Sequence, residues 1–145
     1  MTIESFNKFL DEFLNSWRNS SITDLSPLIS KDYQAREISN GKIEDFGYEE
    51  SIQGWEQGFN FVIEHQAKWE LSEIQVSPLR EKEVLAILSA TIILQDKRLT
   101  TSNLFFNTFK ENDNGEWKLI RSYIEAGVPN ENINNMSFIN RIAQN

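Results

Sequence analysis

Eleven consecutive residues, Val84 to Leu94, carry no charge and only two polar side chains, Ser89 and Thr91. A bilayer span needs about 20 apolar residues, so the run is too short to cross a membrane. Its apolar side chains fall on both parities, as in a strand buried on both faces. The run is read as the central strand of a sheet.

The segments before it are helical. Phe6, Phe9, Leu10, Phe13, Leu14 and Trp17 recur at spacings of three and four, which places them on one face of a helix. A short second helix carries Leu25, Leu28 and Ile29. A long helix spans Tyr48 to Gln66 with the stripe Ile52, Trp55, Phe59, Val62 and Ile63. Between the helices, Tyr33 to Ile38 reads as a strand, Asn40-Gly41 as a turn, and Ile43 to Phe46 as the return strand. Four long strands follow, over Trp69–Val76, Val84–Leu94, Leu99–Lys110 and Trp117–Ala126. Helices first and long antiparallel strands later is an α+β pattern. Residues 1–129 are read as one domain and 130–145 as a C-terminal tail. That tail holds six Asn and repeats Ile133, Met136, Ile139 and Ile142 every three residues. Its two readings are a short helix and a frayed terminus.

Composition narrows the function classes. The 145 residues suffice for one domain with a core of its own. There is no Cys, which excludes disulfides and thiolate chemistry. The single His, His65, reads as a surface residue near a helix end, so no metal site is expected. The 22 acidic and 14 basic side chains give a net charge of −8. No basic cluster is present to bind phosphate backbones, and the charge disfavours anionic membranes. Nucleic acid and membrane are therefore set aside, and a cytoplasmic location is expected.

Two stretches carry a resemblance. Gly115-Glu116-Trp117-Lys118-Leu119-Ile120-Arg121 looks like the G-x-W-K-I-x-H ending of NTF2-like proteins, and Asp45-Phe46-Gly47-Tyr48-Glu49-Glu50-Ser51-Ile52 resembles the approach to their long helix. The order of elements over residues 3–127 also resembles this superfamily, known too as SnoaL-like or ketosteroid-isomerase-like. The resemblance implies a cone: two to three N-terminal helices packed on a strongly curved, mostly antiparallel sheet. It implies no single chemistry, because the superfamily contains isomerases, cyclases, dehydratases and transport factors. Relatives in Bacillus-type bacteria labelled flavoproteins bring in a flavin by resemblance only. No residue of this chain supports one, and no cofactor is expected.

The steroid isomerases of the superfamily place a Tyr on the first helix, a neutral carboxylic acid on the penultimate strand and a carboxylate base on the first strand. The nearest positions here are Phe13, Asn107 and Glu37. One role of three is kept, so that activity is not expected. Members with a His on the final strand would carry it where Arg121 and Tyr123 stand.

The strand alternation nominates side chains for a pocket. Trp117, Leu119, Arg121, Tyr123 and Glu125 share a parity that two apolar residues point inward. Arg121 then either binds an anionic group such as a carboxylate or forms a structural ion pair with Glu125 or Glu37. Asn103, Phe105, Asn107 and Phe109 share another face, read as pocket lining, with Leu104 and Phe106 inside as the alternative. Trp17, Trp55 and Phe59 serve as core, pocket wall or both, and Tyr33 offers a hydroxyl. Gly54 and Gly58, four apart on the long helix, admit either close helix–sheet packing or room for a ligand.

Three functions follow as expectations. The first is a small-molecule-binding protein for a hydrophobic or carboxylate-bearing ligand. The second is an acid–base enzyme, an isomerase, dehydratase or cyclase, with Glu37 as base and Asn107, Arg121 or Tyr123 steadying an oxyanion. The third is an interaction module. In it, Ile120, Ile124, Leu104 and Phe106 form an outer apolar patch that drives homodimerisation.

Overall fold

The computed structural model describes residues 3–137. Helix α1 (Ile3–Arg18) leads into a short α2 (Ile22–Leu25) and one 3-10 turn (Ser26–Leu28). The hairpin of β1 (Ile29–Ser39) and β2 (Lys42–Gly47) follows, then the long helix α3 (Tyr48–Glu64). The remaining strands are β3 (Lys68–Arg80), β4 (Glu83–Leu94), the two-residue β5 (Lys97–Arg98), β6 (Thr101–Glu111) and β7 (Trp117–Pro129), and α4 (Asn130–Asn134) comes last. The main sheet runs β2-β1-β7-β6-β4-β3, with β5 paired to β4. Every pairing is antiparallel except β1 with β7. The fold is α+β, with helices packed on a curved, open sheet.

Strand β4 is interior, flanked by β6 and β3, and sits one place from the edge. Its inward residues Val84, Ala86, Leu88 and Ala90 belong to the core. Strand β3 is an edge strand, which explains why it runs past Pro78 to Arg80. A proline lacks the N–H that a second neighbour would need, and an edge strand does not require it.

The apolar stripe of α1 packs edge-on into aromatic rings of the sheet. Phe13 meets Phe109 at 5.3 Å, Phe6 meets Trp117 at 5.1 Å and Trp17 meets Phe105 at 5.0 Å between ring centroids. Each such pair adds about 0.5–1.5 kcal/mol beyond the area it buries.

The parity of β7 departs from simple alternation. Thr108 pairs with Arg121 but Phe109 pairs with Leu119, so Ile120 is one residue too many. This is a β-bulge, which turns every later side chain to the other face. Trp117 and Leu119 point into the core, and then Ser122 and Ile124 do so in place of Arg121 and Tyr123. The expected inward orientation of Arg121 and Tyr123 is thereby corrected. The expected outer patch changes too: the bulge puts Ile124 in the core, and Leu104 is itself buried.

In the tail, Ile133 of α4 is buried. Ile139 and Ile142 lie outside the described residues. No helix among the described residues is long and apolar enough to cross a membrane.

Candidate ligand-binding site

A cavity of about 720 Å³ opens between α3 and the sheet. Its aromatic wall comes from four elements. Trp17 of α1 lies edge-on to Trp55 of α3 at 4.7 Å, to Phe105 of β6 at 5.0 Å and to Trp69 of β3 at 6.0 Å. All four rings line the cavity. Trp69 is held in place by its indole N–H, which donates to Ser20 Oγ at 2.9 Å.

The two helical glycines divide their roles. A Cβ at Gly58 would lie 3.6 Å from the Trp69 ring, ordinary packing contact. A Cβ at Gly54 would meet nothing within 4 Å, and Gly54 lines the cavity. Close packing thus accounts for Gly58, and open space for Gly54.

A polar arc crosses the apolar wall. Tyr33 of β1 is buried, and burial pushes its hydroxyl pKa up to about 12. It stays protonated at physiological pH, although the neighbouring Ser122 and Ser51 hydroxyls oppose the shift. Ser122 in turn donates to Asn107 Oδ1 at 2.6 Å. Asn107 lies one layer deeper, outside the cavity wall, and its Nδ2 has no partner among the described residues. The indole N–H of Trp17 is likewise buried without a partner.

The rim of the cavity is acidic. Glu37 of β1 stands opposite Glu44 of β2 in the sheet register. Both line the cavity, with Glu50 from the first turn of α3. Partial burial and the neighbouring Glu44 carboxylate raise the Glu37 carboxyl pKa above the usual range. Asp45 also reaches the rim but is engaged by Arg36, at 2.7 and 2.9 Å. Among the described residues no cluster of three or more His, Asp or Glu is arranged to hold a metal ion.

Of the residues nominated from sequence, Trp17, Tyr33, Glu37, Trp55, Asn103 and Phe105 come together around this cavity. Phe59 packs behind it, against Trp55 and Trp69. Asn107 joins through Ser122 only. Arg121 and Tyr123 do not take part. Arg121 pairs with Glu83 at 3.0 Å, and Glu83 is also held by Arg80 at 2.7 Å. Tyr123 is exposed and donates to Glu125 Oε2 at 2.6 Å. Sequence reading missed Ser51, Trp69, Ser122, Glu44 and Glu50. The signal for Ser51 was present, since it lies one turn before Trp55 on the same stripe.

No protein-family model and no curated protein matches the sequence. Solved structures do match. An NTF2-like protein of unknown function from Shewanella oneidensis MR-1 superposes with a TM-score of 0.65 at 13% identity, over 86% of this chain and 99% of that one. The chain has the NTF2-like fold. A domain of unknown function with a cystatin-like fold from Nostoc punctiforme PCC 73102 gives 0.67 at 15% identity, over 99% and 92%. A third bacterial structure with this architecture is described as a putative calcium/calmodulin-dependent protein kinase type II association domain, from Thiobacillus denitrificans ATCC 25259. It gives 0.60 at 14% identity, over 79% and 89%. In the NTF2-like fold of this chain, the cavity lies between the long helix and the curved sheet.

Proposed function

We propose that this chain binds a small molecule in the cavity beneath α3. The observation that carries the reading is the cavity itself. At about 720 Å³ it falls in the size range of ligand sites, roughly 300–1,000 Å³. Its make-up also fits, since four aromatic rings form a wall and a few polar groups, Tyr33, Ser51 and Ser122, can orient a guest. The Tyr33 hydroxyl is a polar group held in a mostly apolar surround.

Native mass spectrometry of freshly purified protein tests this reading. A non-covalent mass on the folded chain, lost on denaturation and absent from Gly54→Leu, is the expected result. Gly54→Leu projects a side chain into the open space of the cavity. An adduct retained equally by that variant would place the ligand elsewhere.

A second reading, self-association, rests on the outer sheet face. There Phe106 meets the exposed ring of Tyr123 at 6.0 Å. Light scattering of the purified chain tests it, with a dimer that Tyr123→Glu dissociates as the expected result.

A further inference from the structure

The charges around the cavity are one-sided. Four carboxylates line it, and among the described residues no Lys, Arg or His does. The guanidinium of Arg36 is bound to Asp45. Glu37, Glu44 and Glu50 have no ion-pair partner among the described residues. Glu37 and Glu44 face each other across the hairpin, an arrangement that is destabilising for like charges. The bulge at Ile120 removes the one cation that alternation would have sent inward, Arg121. It lines a separate groove instead, together with Lys31, Lys110 and Lys118. A neighbouring concavity holds both signs, Arg36 and Arg121 with Asp45 and Glu50, so the one-sided charge is a property of the cavity under α3.

We propose that the cavity is selective for an organic cation: an apolar or aromatic body with an ammonium group at the Glu37–Glu44–Glu50 rim. This inference rests on the binding reading above and names its ligand class. Two physical terms favour such a guest. The ammonium relieves the repulsion between Glu37 and Glu44. Its body, and the charge itself, are attracted by the Trp and Phe faces behind the rim. A carboxylate guest meets the opposite field, with no cation in the wall to pair with. An inorganic divalent ion is a poor fit, because the three carboxylates are not gathered into a ligand cluster.

Isothermal titration with three probes of one shape separates the possibilities. The probes are 4-phenylbutylamine, 4-phenylbutan-1-ol and 4-phenylbutyrate, at pH 7.5 and low salt. The expected affinity order is amine, then alcohol, then carboxylate. Glu37→Gln and, separately, Glu44→Gln should each weaken the amine by roughly 2- to 5-fold and change the alcohol by less. Added salt should narrow the gap between amine and alcohol. Circular dichroism confirms that each variant folds; Glu50→Gln replaces any that does not. A carboxylate that binds as well as the amine, or an amine indifferent to these Gln variants, overturns the cation inference and leaves the cavity reading standing if the alcohol binds. If none of the three binds, both fail together.

Discussion

Ser122 and Asn107 are joined by a 2.6 Å hydrogen bond between β7 and β6, and both are buried. The bond satisfies Asn107 Oδ1 while Nδ2 has no partner among the described residues. A buried amide with one end unpaired is costly, and it is held here by the residue that also reaches Tyr33. Ser122→Ala strips the remaining bond and should destabilise the fold by about 1–3 kcal/mol. Adding Asn107→Leu removes the other polar group and should return much of that loss. Urea denaturation of the two single variants and the double variant measures the coupling. Strict additivity of the two substitutions would contradict the relationship.

The same strand shows what could be read from sequence and what could not. The helical stripes were legible because the period of 3.6 is a local property: Phe6 through Trp17 bury the expected face. Asn40-Gly41 marked its hairpin, since both residues adopt positive φ. The inward face of β7 was not legible beyond Leu119. The bulge at Ile120 depends on how β6 and β7 align, which no local pattern encodes. Arg121 and Tyr123 were therefore nominated where Ser122 lines the cavity. The acidic rim was hidden for a related reason. Only the folding of β2 onto β1 brings Glu44 beside Glu37, and only the packing of α3 over the sheet brings Glu50 to the same cavity.

Arg121 gives a sharp contrast with Ser122. Its partner Glu83 keeps a second cation, Arg80, and the guanidinium is half exposed. Arg121→Leu should cost no more than about 1 kcal/mol. It should leave the affinity for every cavity ligand unchanged, because the side chain does not line the cavity. Titration of the variant with 4-phenylbutan-1-ol checks this. A severalfold loss would return Arg121 to the site.

Gly54 lies mid-helix with open space beside it. Gly54→Ala should raise stability by about 1 kcal/mol through helix propensity alone. Thermal melts at constant pH measure it. A destabilised Ala variant would mean that the space beside Gly54 is not open.

Glu37 makes stability depend on pH in a direction opposite to that of most carboxylates. Its folded-state pKa is raised by burial and by Glu44. The folded chain therefore holds this proton more tightly than the unfolded chain does. Its contribution favours folding below the unfolded pKa and is lost as pH rises through the raised folded value. Glu37→Gln should flatten that part of the profile and stabilise the chain at neutral pH by about 0.5 kcal/mol, the scale of a like-charge cross-strand pair. Paired denaturation curves from pH 4 to pH 8 provide the check. A Gln variant less stable than the parent at pH 7.5 would contradict the unpaired placement of Glu37.

The four tryptophans supply the most direct test of the binding site. Trp17, Trp55 and Trp69 line the cavity, whereas Trp117 packs beside Phe6 and donates its indole N–H to Ser5 Oγ at 3.2 Å. Their four indole N–H signals can be followed together in a two-dimensional nitrogen–proton NMR spectrum during titration with 4-phenylbutylamine. Binding in the cavity predicts that the signals of Trp17, Trp55 and Trp69 move saturably while that of Trp117 holds still. A spectrum in which none of the three moves, or in which Trp117 moves as far as they do, would contradict it.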